Sequence, residues 1–376
     1  MPIKIGVPKE VLEGEQRVAL DPGVVTRLVK QAGAEVLIEK DAGKSAHFLN
    51  EAYEDAKLVD SADEVYQNAD VVLKVQAPTD EELNKMREGQ LVISFMDPYR
   101  KHDTVKALAE KKINSIAMEL IPRISRAQAM DALSSQAGLA GYKCAIQAAE
   151  LSPGFFPMLT TAAGTIRPAK VLVVGAGVAG LQAIATAKRL GAQVEAYDIR
   201  PDAKEQVESL GAKLIDTGVD AAGEGGYARE LTDEEKAQQA EALAAKLKEV
   251  NAVITTAAIP GRPAPKIISG DMVADMKAGA VIVDMAAETG GNCELTQAGE
   301  TIVTDNGVTI AGPVNIPSKS PVHASEMYAK NLLNLVNLMI EEGELKPDWE
   351  DEVLAGGCLT RDGEIKHEGV KSVIGG

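Results

Sequence analysis

The stretch Val171-Leu-Val-Val-Gly175-Ala-Gly177-Val-Ala-Gly180 runs a short apolar strand into a glycine turn and then into a helical pattern. In a G-x-G-x-x-G turn each glycine has its own task. Gly175 permits the tight turn, Gly177 lets the backbone approach a pyrophosphate, and Gly180 allows close helix–strand packing. The helix N-terminus then offers unsatisfied N–H groups and a positive dipole to phosphates. The next strand, Gln193-Val-Glu-Ala-Tyr-Asp198, ends in an acid 18 residues beyond Gly180. A carboxylate there would accept hydrogen bonds from adenosine ribose hydroxyls and repel a 2′-phosphate, so NAD(H) is preferred over NADP(H). Arg200 alone would suit a 2′-phosphate, and Asp198 at the strand end outweighs it. Ala176, Val178 and Ile199, which flank these residues, join the expected cofactor contacts.

Working outward, apolar runs alternate with helical patterns over almost the whole chain, the signature of a parallel sheet covered by helices. In the first half Ile3–Val7, Ala34–Glu39, Ala69–Gln76, Gln90–Phe95 and Ile113–Leu120 read as strands. Helical segments such as Gly23–Gln31, with Asp21-Pro22 as its start signal, separate them. A second series follows: Lys170–Val174, Gln193–Tyr197, Ala252–Thr256 and Ala280–Asp284. Ala132–Leu151 reads as a linking helix, and Ala324–Glu342 as its counterpart after the second series. The expected fold class is α/β, with two doubly wound parallel-sheet, Rossmann-like domains, the second carrying the fingerprint. The first would be discontinuous, residues 1–134 and 319–376, around a second at 135–318.

Composition agrees. At roughly 150 residues per domain, 376 residues suggest two. A chain with 45% hydrophobic and 25% charged residues is a globular protein and not a disordered one. No run approaches the ~20 apolar residues of a membrane span, and the N-terminus enters a strand without a signal peptide, so a cytoplasmic location is expected. A net charge of −17 argues against nucleic acid and anionic membrane surfaces as partners. Cys144, Cys293 and Cys358 show neither disulfide nor metal-ligand spacing with the four histidines, so no metal site is expected.

A longer motif is more specific. Met118-Glu-Leu-Ile-Pro-Arg123-Ile-Ser-Arg-Ala-Gln128-Ala-Met-Asp131-Ala-Leu-Ser134 and the residues to Tyr142 resemble the NAD(H)-binding component of proton-translocating nicotinamide nucleotide transhydrogenases. So do Val174–Gly191, the segment from Lys204, the segment Ile254-Thr-Thr-Ala-Ala-Ile-Pro-Gly-Arg-Pro, and Ala329-Lys-Asn-Leu-Leu-Asn. The resemblance implies direct, Re/Si-specific hydride transfer from NADH on this chain to NADP⁺ on a separate NADP(H)-binding component. A membrane-spanning component would couple the transfer to proton passage. It also implies a homodimer, peripheral to the inner membrane through the complex, and almost no activity in the isolated chain. Ala324–Leu338 offers an apolar helix suited to interfaces.

For site residues the resemblance implies catalytic roles for Arg123, Gln128, Asp131 and Ser134 beside the nicotinamide, with Ile124, Ser125, Ala129 and Met130 as cofactor contacts. Gln128 and Ser134 suit a carboxamide chemically. On spacing alone the same loop reads as a polar N-terminal turn of the linking helix, capped by Ser125 or Asp131. Gly226 and Tyr227 correspond to a mobile loop closing over the nucleotide, Gln239 to an adenosine contact, and Ala258 to a small residue near the cofactor where the family often has Leu. Tyr142 would pack on the linking helix, near that loop or purely in the core. The wider superfamily includes alanine dehydrogenase, whose substrate is gripped by an arginine and a lysine. Arg17 and Lys74 resemble these, and Glu288 stands where its aspartate is expected. Ser94-Phe-Met-Asp-Pro-Tyr-Arg lacks the histidine that oxidative deamination needs as proton acceptor. Alanine dehydrogenase and a redox-inactive NAD(H) sensor are the alternatives.

Overall fold

The computed structural model describes all residues except 1, 201, 217, 220–230, 260 and 376. The chain divides into two units, Met1–Gln136 with Ser318–Gly376, and Ala137–Pro317. In the first, β1 (Lys4–Val7), β2 (Glu35–Glu39), β3 (Lys57–Val59), β4 (Val71–Leu73), β5 (Leu91–Ser94) and β6 (Asn114–Ala117) lie in the order β3-β2-β1-β4-β5-β6, all parallel. The near-continuous burial of β4 and β5 explains why they read as unbroken apolar runs. The returning segment adds Cys358–Arg361 antiparallel to β6, then Glu364–Ile365.

Local signals set the helix ends. The Asp21 carboxylate accepts from the N–H groups of Gly23 at 2.7 Å and Val24 at 3.1 Å, Pro22 opens the helix, and Gly33 at φ +69° closes it. The helix Pro321–Asn337 departs from expectation. Tyr328, Ala329, Leu332, Leu335 and Val336 are all buried in the first unit's core, so its apolar stripe is spent inside the fold. Tyr328 donates to the Lys74 carbonyl at 2.8 Å and stacks on Phe95 with centroids 5.3 Å apart.

In the second unit the helix Ala132–Leu151 is followed by a hairpin, β7 (Leu159–Thr161) and β8 (Gly164–Ile166), exposed throughout. Its sheet comprises β9 (Lys170–Val174), β10 (Gln193–Tyr197), β11 (Lys213–Leu214), β12 (Ala252–Thr255), β13 (Val281–Asp284), β14 (Thr301–Val303) and β15 (Thr309–Ala311). The order is β11-β10-β9-β12-β13-β15-β14, parallel but for β14. The direction of strand order reverses between β9 and β12, the position at which open α/β sheets form a ligand crevice. Within this unit, the part of the Ala132–Leu151 helix around Gly141 lies so close to the helix Val178–Arg189 that a Cβ on Gly141 would sit 2.0 Å from the Ala179 carbonyl.

In the first unit, the space beyond the carboxyl ends of β1 and β4 is filled with ion pairs. Lys74, 1% exposed, binds Glu82 at 2.7 Å and Glu10 at 3.3 Å, and Tyr66 donates to Glu82 at 2.8 Å. Arg17, 4% exposed, grips Glu15 through Nε at 2.8 Å and Nη2 at 2.7 Å and reaches Gln136 at 3.0 Å. Burial alone would raise the Glu82 carboxyl and lower Lys74, yet their attraction carries Glu82 below and Lys74 above its ordinary value. Replacing Lys74 by Met would leave Glu10 and Glu82 buried together without a cation. The loss of stability in urea melts should be about 3–5 kcal/mol at pH 8 and shrink toward pH 5 as these carboxyls take up protons.

Candidate dinucleotide site

The fingerprint turn has the backbone that its three glycines demand. Gly175 sits at φ +91°, where a side chain is strained. A Cβ on Gly180 would lie 1.8 Å from the Gly175 carbonyl, so the helix can approach the strand this closely only with glycine there. Gly177 differs, because among the described residues a Cβ there would meet no atom within 4 Å. Packing does not require that glycine, whereas close approach of a phosphate to the backbone does. Helix Val178–Arg189 starts at Gly177 with no side-chain cap, so its first N–H groups keep their capacity for an anion. The group implied by this turn therefore fits the residues present.

Asp198 directly follows β10, with its side chain 7% exposed and committed to four donors. Ala176 N–H donates at 2.7 Å, and Arg200 donates through its backbone N–H, Nε and Nη2 at 2.8–2.9 Å. Burial opposes ionisation, but the Arg200 bonds and the Ala176 N–H hold the carboxyl below its usual range. Arg200 is thus tied down on the acid. Ile199 is half-buried beside it, Ala176 is buried and Val178 is exposed. After β12, Thr256 donates through Oγ1 to the Gly175 carbonyl at 3.0 Å, which sets the loop carrying the exposed Ala258 against the glycine turn. Gln239 lies half-buried on the helix Asp233–Leu247, and Gly226 and Tyr227 lie outside the described residues.

The loop singled out at 121–134 belongs to the first unit. Ser125–Met130 forms a 3-10 turn. Asp131 then caps the following helix, accepting from Ser134 N–H at 2.8 Å and from the Ser134 hydroxyl at 2.5 Å. The cap and the Asp131–Ser134 pair are therefore one feature. Asn331 donates to the Ala129 carbonyl at 2.9 Å and Arg126 pairs with Asp351 at 2.7 Å, anchoring the loop from both sides. Met130 is buried and Ile124 half-buried, while Arg123, Ser125 and Gln128 are exposed. Tyr142, in the second unit, is 42% exposed, so a core role does not hold. Glu288 accepts from Asn315 N–H at 3.0 Å. No cluster of three or more potential metal ligands occurs among the described residues.

Sequence reasoning passed over Glu119, in the 3-10 turn Met118–Leu120 between β6 and this loop. One oxygen accepts the N–H groups of Met96, at 2.8 Å, and Asp97, while the other is out of solvent with no hydrogen-bond partner among the described residues. Burial pushes this carboxyl up to about 7. A glutamate before a strand-end turn carries no pattern that announces such an environment.

A glycine turn at the switch point of a parallel sheet, an uncapped helix and a strand-end acid define a protein of the dinucleotide-binding α/β class. Family models for the alanine dehydrogenase/PNT N-terminal and C-terminal domains match residues 6–140 and 144–368. The chain belongs to the alanine dehydrogenase/PNT family. It is 48% identical over 368 residues to the NAD(P) transhydrogenase subunit alpha of Haemophilus influenzae, covering 96% of this chain and 71% of that one. It is 47% identical to a Rhodospirillum rubrum chain named as the first portion of NAD(P) transhydrogenase subunit alpha, covering 97% and 98%. Among solved structures it is similar to the transhydrogenase from Sinorhizobium meliloti, with TM-score 0.88, 43% identity and coverage of 96% and 99%. An L-alanine dehydrogenase matches with TM-score 0.83 at 28% identity, covering 99% of each chain.

Glu119 supplies a pH dependence. Its folded pKa of about 7 lies above the ordinary 4.5, so the folded protein holds this proton more tightly than the unfolded chain does. The resulting stability is full below the ordinary value and lost as pH rises through the raised one. In urea melts, wild type should lose stability relative to Glu119→Gln between pH 5 and pH 8, and parallel profiles would refute the assignment.

Proposed function

We propose that this chain is the NAD(H)-binding component of a proton-translocating transhydrogenase. Its likeness, at 47% identity, to nearly the full length of a chain named as the first portion of a transhydrogenase subunit alpha carries the reading. The glycine turn, the uncapped helix and Asp198 support NAD(H) as its ligand. When bound, NADH supplies the hydride that reduces NADP⁺ held by a partner component, and a membrane component couples the transfer to proton passage. The residues of this chain bind and orient. Gly175, Ala176, Gly177, Val178 and Gly180 receive the pyrophosphate, and Asp198 with Ile199 and Arg200 receives the adenosine ribose. Gln239 and Ala258 contribute further cofactor contacts, as do Gly226 and Tyr227.

Arg123, Gln128, Asp131 and Ser134 are assigned to the nicotinamide, with Ile124, Ser125, Ala129 and Met130 beside them. Direct hydride transfer exchanges no proton at the reacting carbons, so orientation and approach matter and no general base is required. That suits a chain with no histidine in Ser94–Arg100. The alternative, alanine oxidation, requires a cationic grip on a substrate carboxylate, and here Arg17 and Lys74 are already bound to Glu15, Glu10 and Glu82.

A homodimer belongs to the proposal. Among the described residues the β7–β8 hairpin has no third strand, and it exposes Phe155, Met158, Leu159 and Ile166 on or beside it. An isolated two-stranded hairpin is marginal in water. Only Arg167 is charged between Ser152 and Ala169, so two copies of an acidic chain meet there without repulsion. Met158→Asp should shift the sedimentation coefficient from dimer toward monomer; an unchanged dimer would exclude this surface. Complex association would make the chain peripheral to the membrane and cytoplasmic, in keeping with the absence of a long apolar helix among the described residues.

One mixing experiment tests the function. The chain alone should bind NADH yet leave an NAD⁺ analogue unreduced by NADPH, and adding the NADP(H)-binding component of a related transhydrogenase should start the reduction. Pyruvate formation from alanine and NAD⁺ by the chain alone would establish the dehydrogenase instead. Binding with neither activity would leave an NAD(H) sensor.

A further inference from the structure

We propose that Asn292 is a positioning residue for the nucleotide, a buried clamp that holds the loop after β12 against the glycine turn. The inference rests on the assignment of NAD(H) to the second unit. Asn292 is 0% exposed. Its Oδ1 accepts the Ala257 N–H at 3.0 Å, and its Nδ2 donates to the carbonyls of Ala257 at 2.8 Å and Pro265 at 2.9 Å. Its own carbonyl accepts from the N–H groups of Ile267 at 2.8 Å and Ile268 at 3.0 Å. One residue thus joins three segments, and both polar groups of the Ala257 backbone end on its side chain.

The other side of the loop meets the fingerprint. Thr256 N–H donates to the Val174 carbonyl at 2.8 Å and its hydroxyl to Gly175, while a Cβ on Gly175 would lie 2.7 Å from Thr256 Oγ1 and 3.2 Å from Ala257 N. The path at Ala257 is therefore gripped by Asn292 on one side and bounded by the glycine turn on the other. A primary amide is suited to this work because it carries an acceptor and two donors on one rigid plane. Aspartate keeps the acceptor and loses both donors, turning a carboxylate oxygen toward two carbonyls. Asn292 acts on the nucleotide through residues 256–258.

Charge around the clamp decides how such a carboxylate would behave. Lys266 donates to the Gly290 carbonyl and, at 3.3 Å, to that of Cys293. The Asp284 carboxylate accepts from Cys293 N–H at 2.9 Å and the Thr296 hydroxyl at 2.6 Å, and Glu294 accepts from Gly270 N–H at 2.8 Å. The Cys293 thiol is pushed up by burial and stays protonated. Lys266 is thus the one cation in this group, set against Asp284 and Glu294.

NADH affinity of the full chain, read by nucleotide fluorescence at pH 8 and pH 6, tests the proposal. Asn292→Ala should weaken binding about tenfold at both pH values, the scale of leaving buried partners unpaired. Asn292→Asp should match that loss at pH 8 and regain part of it at pH 6, where a carboxylic acid recovers an O–H donor. A purely structural role would lower the melting temperature without this pH-dependent rescue. Wild-type affinity in both variants overturns the inference and leaves the NAD(H) assignment standing. Failure of wild type to bind NADH overturns the assignment and the inference together. Should the variants not fold, hydrogen exchange in wild type decides: the Ala257 amide should exchange slowly without nucleotide, and fast exchange overturns the clamp.

Discussion

The second unit depends on one backbone approach, that of Gly180 to the Gly175 carbonyl. A Cβ at 180 would stand 1.8 Å from that oxygen, so any other residue pushes the helix off the strand. With the helix displaced, the bond from Ala176 N–H to Asp198 and the contact of Gly175 with Thr256 would both be lost, since each is set by where the turn runs. Asp198 and the loop after β12 thus take their positions from the same two glycines. Steric exclusion does this work at no conformational cost beyond the freedom that glycine loses on folding.

Much of this was legible in the sequence because the signals are local. The strands Lys170–Val174 and Gln193–Tyr197 and the helix Ala132–Leu151 have the bounds that their patterns indicate. Each is bounded by a glycine, a charge or a cap in the chain itself. What was missed is short or non-local. Lys57–Val59 has three residues and a polar first position, and the β7–β8 hairpin carries no alternating apolar face. Cys358–Arg361 becomes a strand because β6 offers it an edge, a circumstance invisible from residues 358–361 alone.

The candidate site was legible in the same uneven way. Gly175, Gly177, Gly180 and Asp198 announce themselves by spacing, whereas Asn292 does not, because its partners Ala257 and Pro265 are 35 and 27 residues away and contribute only backbone atoms. Arg200 illustrates the converse. Its charge suggested a ligand phosphate, and its reach back to its neighbour two residues away shows the chain satisfying that charge internally. The apolar stripe of Pro321–Asn337 failed as a guide to an interface for a related reason. A hydrophobic face says that something covers it, and here the covering surface is the first unit's own core.

The two units share a strand order around their switch points and differ in what stands there. After β9 the helix begins within four residues, so its positive end faces the crevice; after β1 the next helix begins only at Pro22, fifteen residues on. That longer connection carries Glu10, Glu15 and Arg17, and together with Lys74 and Glu82 they fill the corresponding space with pairs of opposite charge. A pyrophosphate brought there would meet buried carboxylates in place of the N–H groups of a helix start. One sheet design thus gives a nucleotide cradle where the helix starts at once, and a sealed ionic core where it does not. The length of the connection after the first strand therefore separates the unit with the glycine turn from the unit with the ionic core.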